Sequence, residues 1–331
     1  MKLYYWLWLV LLPVGALGQQ KTAADYGFRH LRTVFQGDTV DILIKSRAVE
    51  EQVPKPLFLF CQGSLPQPLL KLADDGHVYG VFPFKPDSLL RQYHLAIIGK
   101  PYVPLIGQKS KLGRNFTYVE PNGSFPAAYS RRNHLTYYVK RNIAVLRFLR
   151  RQPWVAKQRL VVAGHSEGST VAAKMAQNFH PITHLIYSGG NPSGRILNII
   201  AQDRAVETDS SRTGEASLAD WQTVVNTPQD LNASQGDTHL ATYSFSIPPQ
   251  EYLQKLRIPT LISYGTKDWC APYVDLLRVD FIRSHKTNAT FLPYIGTEHN
   301  YFPVLPNGQP NYEVFNWDKV ADDWLAWLSK K

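Results

Sequence analysis

The sequence predicts an α/β protein whose mostly parallel sheet is covered by helices on both faces. Short apolar runs typical of buried strands alternate along the chain with segments whose apolar residues recur at helical spacing. The strand-like runs are residues 57–61, 93–98, 159–163, 183–188 and 259–264. Continuous apolar runs of this length favour strands buried on both faces, as in a doubly covered parallel sheet.

The remaining elements follow from local patterns in chain order. Gly37-Asp38 separates two β-like runs, and residues 39–45 alternate apolar and polar side chains, which predicts an antiparallel start to the sheet. Proline and glycine punctuate residues 99–126, so we expect a long irregular loop there. Residues 289–292 are the expected last strand. Apolar residues at helical spacing then predict a closing helix: Trp317, Val320, Trp324 and Leu328.

Residues 131–152 form the most basic predicted helix. We expect its basic side chains to form the solvated face: Arg132, Lys140, Arg141, Arg147, Arg150 and Arg151. The whole chain has 36 Lys and Arg against 26 Asp and Glu, which favours attraction to anionic surfaces. Because no nucleic-acid-binding motif accompanies this charge, we predict no nucleic-acid partner.

The length of 331 residues and an apolar content of 44% suit one large core. We therefore expect a single domain over residues 19–331. Within it, residues 191–256 leave the alternation of strands and helices and contain helix-like segments at 196–206 and 215–225. This insertion is the expected helical cap over the site.

Residues 1–18 have the pattern of an export signal. Lys2 precedes the apolar stretch 3–14, and the small residues Ala16 and Gly18 come directly before Gln19. The apolar stretch is shorter than the roughly 20 residues that span a bilayer. We expect cleavage after Gly18, no stable membrane insertion of the mature protein, and a secreted or periplasmic location.

Two cysteines, Cys61 and Cys270, are too few for a disulfide framework in an exported chain. They follow strands that we do not expect to be neighbours, so we predict two free thiols. Histidines and acids do not recur at metal-ligand spacings, and no metal site is predicted.

The segment Gly164-His165-Ser166-Glu167-Gly168 lies between the apolar run ending at Ala163 and a helix-forming run that starts at Thr170. This context predicts a nucleophile elbow, a tight turn from strand to helix that presents one serine at the edge of the sheet. The glycines that flank the turn, Gly164 and Gly168, leave space for its strained backbone. Ser166 is the predicted nucleophile.

A serine hydroxyl needs a base, and the base needs a third group that fixes its tautomer. His299 is the expected base because it lies in the loop between the last strand and the closing helix. Asp268 is the expected orienting acid because it follows the strand that ends at Tyr264. Asp275 and Asp280 are less suitable, since both fall in the helix that follows, and Glu298 is expected to point away.

Attack on a carbonyl builds negative charge that must be met by donors already in place. The N–H of Glu167, at the start of a helix, is the first expected donor. The second is expected from the turn after the strand ending at Cys61, where Ser64 is preferred and Gln62 and Gly63 are alternatives.

With the elbow, Asp268, His299 and residues 57–64, the chain resembles the α/β-hydrolase superfamily over residues 34–328. The resemblance implies an eight-stranded, largely parallel sheet, hydrolysis through an acyl-enzyme and no cofactor. The chain departs from the family at Cys61-Gln62-Gly63, which replaces the usual His-Gly pair of the oxyanion turn. This leaves the second oxyanion donor open.

The expected activity is that of an exported serine hydrolase that cleaves a carboxylic ester. The triad alone does not separate ester from amide substrates, so a peptidase or aminoacyl amidase of the same fold is the alternative. A binding protein that kept the fold without catalysis and an acyl transferase also stay open. The expected partners are small-molecule or peptide substrates.

Overall fold

Eight strands form the central sheet of the computed structural model, which describes residues 21–234 and 236–331. The predicted export signal at 1–18 lies outside the described residues. In chain order the strands are β1 (Arg29–Phe35), β2 (Asp38–Lys45), β3 (Lys55–Cys61), β4 (His94–Ile98), β5 (Val155–His165), β6 (His184–Ser188), β7 (Thr260–Gly265) and β8 (Ala289–Tyr294). Their order across the sheet is β1-β2-β4-β3-β5-β6-β7-β8.

The sheet begins antiparallel and continues parallel. Arg29 of β1 pairs with Ile44 of β2, and Phe35 pairs with Asp38 across a turn whose residues Gln36 and Gly37 both have positive φ, 52° and 83°. Such turns match the twist of a hairpin. β2 is also antiparallel to β4, whereas every pair from β4 to β8 is parallel. The predicted fold class is confirmed.

Ten α-helices accompany the sheet within the described residues. They are α1 (Asp87–Leu90), α2 (Ala127–Arg132), α3 (Leu135–Leu149), α4 (Glu167–Asn178), α5 (Arg195–Val206), α6 (Thr213–Asn226), α7 (His239–Ser246), α8 (Gln250–Leu253), α9 (Ala271–Arg283) and α10 (Trp317–Ser329). None of the helices in this described part is long and apolar enough to cross a membrane.

Helices bury both faces of the sheet. Side chains alternate along β3: Leu57 and Leu59 join a core with α3, α4 and α9, while Phe58 and Phe60 join a second core with α1 and α10. Trp324 of α10 is fully buried in the second core. The continuous apolar run of β3 therefore reflects packing on two faces.

The predicted helix 131–152 is wrong in two respects. It is two helices, α2 and α3, separated by Asn133 and by His134, whose extended backbone lets its Nδ1 accept a bond from the N–H of Tyr137 at 3.4 Å. Arg141 is buried instead of solvated. Its guanidinium lies over the rings of Tyr137 and Tyr138, one turn earlier in α3.

Residues between β6 and β7 form a helical region, in agreement with the segments predicted at 196–206 and 215–225. Helices α5, α6 and α7 pack on one another, and a short hairpin joins Ala233–Ser234 to Asp237–Thr238. A separate three-stranded sheet contains Leu70–Leu72, Val78–Tyr79 and Ile106–Gln108. Single turns of 3-10 helix are found at Ala23–Tyr26, Lys109–Lys111 and Arg114–Phe116.

Candidate active site

Ser166 lies between the end of β5 and the start of α4, with φ 58° and ψ −130°. A non-glycine residue in this region of backbone space is strained and persists only where its surroundings hold it. The N–H of Ser166 donates to the carbonyl of Ser188 at 2.9 Å, and its own carbonyl accepts from the N–H of Ser169 at 3.0 Å. These bonds fix the elbow from both sides.

Two glycines make this turn sterically possible. A Cβ added to Gly164 would lie 2.0 Å from the carbonyl oxygen of Gly168, and a Cβ added to Gly168 would lie 2.1 Å from the carbonyl oxygen of Cys61. Both distances are far inside van der Waals contact. The first turn of α4 can therefore approach β3 and β5 only because both residues lack a side chain.

His299 and Asp268 form a hydrogen-bonded pair, with His299 Nδ1 2.7 Å from Asp268 Oδ2. Asp268 follows β7 and is buried; it also accepts from the N–H of Cys270 at 3.2 Å and from Cys270 Sγ at 3.1 Å. Because a carboxylate only accepts, Nδ1 carries the proton, and Nε2 of a neutral His299 is left as the basic nitrogen.

The pair also sets the pKa values of its members. Burial lowers the pKa of His299. The hydrogen bond to Asp268, the charge of Asp268 and the charge of Glu298 raise this pKa by more than burial lowers it, so it lies above its ordinary value. Burial raises the pKa of Asp268, and the bonds from His299 and Cys270 lower it to below its ordinary value. Asp268 thus stays ionised beneath the imidazole.

Ser166 and His299 line the same cavity of about 530 Å³, together with the predicted oxyanion turn Gln62, Gly63 and Ser64. Within the described residues, no hydrogen bond joins the Ser166 hydroxyl to the His299 ring. In enzymes without bound substrate such bonds are often long and tighten when substrate binds. The structure thus brings the three predicted residues to one site.

The oxyanion turn lies beside the nucleophile. A Cβ on Gly63 would lie 3.7 Å from Cβ of Ser166, and in the described residues the N–H groups of Gly63 and Ser64 donate no backbone bond. The side-chain amide of Gln62 donates to the carbonyl of Ile98. Glu167 opens α4, where an N–H has no partner within the helix. The choice among these donors stays a proposal.

The side chain of Glu167 does not line the 530 Å³ cavity. It is buried behind the nucleophile, with Oε1 3.1 Å from Lys100 Nζ and Oε2 3.4 Å from a guanidinium nitrogen of Arg195. Arg195 also pairs with Asp237 at 2.5 Å. This network was not predicted from the sequence, although a lysine two residues after a buried strand, Lys100, was an available signal.

His165 is a second imidazole beside the site. Its ring centroid lies 4.8 Å from that of His299, and its Nδ1 is 3.0 Å from Ser188 Oγ, which in turn bonds the hydroxyl of Tyr301. Burial and the charge of a protonated His299 lower the pKa of His165 to about 3. His165 is therefore neutral and packs beside the base.

The other acids near the site are engaged elsewhere. Asp275 accepts from the hydroxyl of Tyr264, and Asp280 pairs with Arg283, both within α9 as expected. Glu298 accepts from the N–H groups of Asn300 and Phe302, which holds the loop that carries His299. None of these bonds competes with Asp268 for His299 Nδ1.

The thiols of Cys61 and Cys270 are free and buried, as predicted. The part of the chain that the structure describes holds no group of three or more His, Cys, Asp or Glu side chains able to bind a metal ion.

This strand order and the elbow at Ser166 define the α/β-hydrolase fold. No family model and no curated protein matches the sequence. Solved structures are similar in fold, among them Est1E from Butyrivibrio proteoclasticus: 14% identity, a TM-score of 0.53, and coverage of 91% of this chain and 99% of that chain.

Two peptidases are similar in fold as well. An acylaminoacyl peptidase from Pyrococcus horikoshii has 14% identity and a TM-score of 0.55, with 90% of this chain and 41% of that chain covered. A putative dipeptidyl aminopeptidase IV from Bacteroides ovatus has 11% identity and a TM-score of 0.57, with 92% and 36% covered. This chain thus spans about two fifths of the length of these peptidases. At such identities the likeness shows the fold, as predicted.

Proposed function

We propose that this chain is a serine hydrolase that cleaves a carboxylic ester, with Ser166 as nucleophile, His299 as base and Asp268 as the acid that orients it. The observation that carries the proposal is the combination of the strained Ser166 backbone with the His299–Asp268 pair at one cavity. Strain of this kind is maintained where it serves a function. A buried carboxylate that is hydrogen-bonded to a partly exposed imidazole is the arrangement that activates a serine.

In the proposed reaction His299 Nε2 takes the proton of the Ser166 hydroxyl as its oxygen attacks the ester carbonyl. The resulting oxyanion is stabilised by the N–H of Glu167 and by an N–H of the turn that contains Gly63 and Ser64. Collapse breaks the ester bond, and the leaving alkoxide takes the proton from His299. Water then attacks the acyl-enzyme by the same steps and releases the acid.

A non-catalytic binding protein is the competing class. It would not require the 2.7 Å bond between His299 and Asp268 or the glycines that let Ser166 adopt its backbone conformation. A peptidase or amidase of the same fold would use the same three residues, since both reactions pass through a tetrahedral intermediate. Because two peptidases are similar in fold, the experiment below also tests that alternative.

The test compares the wild type with Ser166→Ala, and with Ser124→Ala as a control in an exposed loop. We expect a fluorophosphonate probe to label Ser166, and turnover of 4-nitrophenyl butyrate to fall by a factor on the order of 10⁴ or more in Ser166→Ala only. No labelling and no turnover would favour the binding protein. Faster cleavage of aminoacyl anilides than of 4-nitrophenyl butyrate would favour the peptidase. Ester formation with added alcohols would indicate acyl transfer.

We also propose that residues 191–256 act as a cap and that the protein is exported. Arg195 of α5 supports the first proposal, because Asn191, Arg195 and Asn198 line a cavity of about 60 Å³ that also contacts Ser166.

The sequence pattern of residues 1–18 supports the proposal that the protein is exported. The mass of the protein recovered outside the cytoplasm tests export, since cleavage after Gly18 gives a chain that begins at Gln19.

A further inference from the structure

The cavity beside Ser166 contains one lysine that neither the triad nor the oxyanion turn explains. Lys71 is the central residue of the short strand Leu70–Leu72, which pairs with Val78–Tyr79 and Ile106–Gln108. Leu70 and Leu72 are buried, whereas Lys71 alternates to the other side and lines the cavity of about 530 Å³. The lysine and the nucleophile thus share one cavity.

The rest of this cavity is poor in charge. Among the described residues that line it, Lys71 is the only Lys, Arg, Asp or Glu. Much of the remaining wall is apolar and includes Phe60, Leu69, Val81, Ile97 and Trp317. Cavities of this kind bind a ligand through apolar contact and fix its orientation through a few polar groups.

Lys71 has no countercharge among the described residues. Within residues 21–234 and 236–331 its ammonium makes no ion pair or hydrogen bond, and burial alone lowers its pKa. The buried Lys100 differs, because it is paired with Glu167. Partial burial of an unpaired ammonium costs free energy, which an anionic ligand would offset.

We propose that Lys71 binds an anionic group, a carboxylate, at the end of an apolar arm of the substrate. This inference rests on the proposed function and narrows it to esters that carry a negative charge on the arm lying in the cavity. In this proposal Lys71 binds the substrate and takes no part in the proton transfers.

The test uses two matched pairs of probes. In the first, the acyl arm differs: 4-nitrophenyl hydrogen suberate or glutarate is compared with 4-nitrophenyl octanoate or valerate. In the second, the alcohol arm differs: the butyrate ester of 4-hydroxybenzoate is compared with phenyl butyrate. The enzymes are the wild type, Lys71→Met, Lys71→Arg, and Lys157→Met, which removes an exposed lysine of β5.

We expect the wild type to prefer the anionic member of at least one pair in kcat/KM. Lys71→Met should lose about tenfold on that probe, ~1.4 kcal/mol, mainly through KM, and leave its neutral partner unchanged. Lys71→Arg should restore most of the preference, and Lys157→Met should behave as wild type. The inference is overturned if the wild type has no anionic preference in either pair, or if Lys71→Met slows both members equally.

A binding measurement separates this outcome from failure of the proposed function. If no ester shows turnover that depends on Ser166, the hydrolase proposal fails, and calorimetric titration of 5-phenylvalerate into the Ser166→Ala protein still tests the lysine. Binding that is at least tenfold weaker in Ser166→Ala/Lys71→Met supports the anion site. Equal binding, or none, overturns it.

Discussion

Lys100 Nζ lies 3.1 Å from Glu167 Oε1, and the two side chains are only 4% and 3% exposed. Lys100 comes shortly after β4 and Glu167 directly after the nucleophile, so this ion pair joins the loop after β4 to the elbow. Lys100 also lies over the ring of Tyr138, 4.6 Å from its centroid. Burial lowers the pKa of Lys100, but the charge of Glu167 raises it above its ordinary value.

Removal of one partner of this pair should destabilise the protein strongly. Lys100→Met leaves Glu167 buried with only the more distant Arg195, and we expect a loss of about 3 kcal/mol in the free energy of unfolding. Urea denaturation followed by tryptophan fluorescence measures it. The double variant Lys100→Met/Glu167→Gln should lose less than the sum of its single variants, since neither charge is then left alone.

The matched control for this experiment is Lys157→Met, an exposed lysine, which should change the free energy of unfolding by less than about 0.5 kcal/mol. Strict additivity of the two single variants would contradict a direct Lys100–Glu167 interaction.

Gly168→Ala should disrupt the elbow. The added Cβ would meet the carbonyl oxygen of Cys61 at 2.1 Å, so α4 must move away from β3 and carry Ser166 with it. We expect a loss of at least ~2 kcal/mol in stability, because the clash is with backbone, and loss of fluorophosphonate labelling. Gly99→Ala is the control, since its nearest neighbour would be at 3.5 Å; equal effects in both variants would refute the steric argument.

Asp268→Asn should change both the rate and its pH dependence. Only neutral His299 accepts a proton, so kcat/KM rises with pH through the pKa of His299, which Asp268 holds above the ordinary value of 6.5. Without the carboxylate charge, the rising limb should move to lower pH, and kcat should fall by about 10³–10⁴-fold. Rates from pH 5 to 9 measure this. An unmoved rising limb would show that Asp268 does not set the pKa of His299.

The two cysteines should be unreactive in the folded protein. Burial raises the pKa of Cys61 to about 12 and raises that of Cys270 well above its ordinary value, so little thiolate is present at neutral pH. We expect no reaction with dithionitrobenzoate under native conditions and two thiols per chain in urea. Fewer than two thiols in urea would indicate a disulfide.

Local patterns were sufficient for the elements that depend on near neighbours. The elbow at Ser166 was predictable because small residues, a strand and a helix adjoin it in sequence, and the order of elements then indicated Asp268 and His299. The prediction of one continuous helix at 131–152 was wrong at Asn133, because the helical spacing of apolar residues continues across the break in the backbone. Arg141 was misplaced because charge alone does not determine burial: its guanidinium lies over aromatic rings one turn earlier in the same helix.

The sequence by itself determined the α/β architecture and the candidate residues, since strand and helix periodicity and the residues of a tight turn are local properties of the chain. Only the tertiary structure decided that Lys100 neutralises Glu167 and that an unpaired Lys71 shares a cavity with Ser166. These relations join side chains from separate elements, and their energies depend on burial and distance, which exist only after the chain has folded.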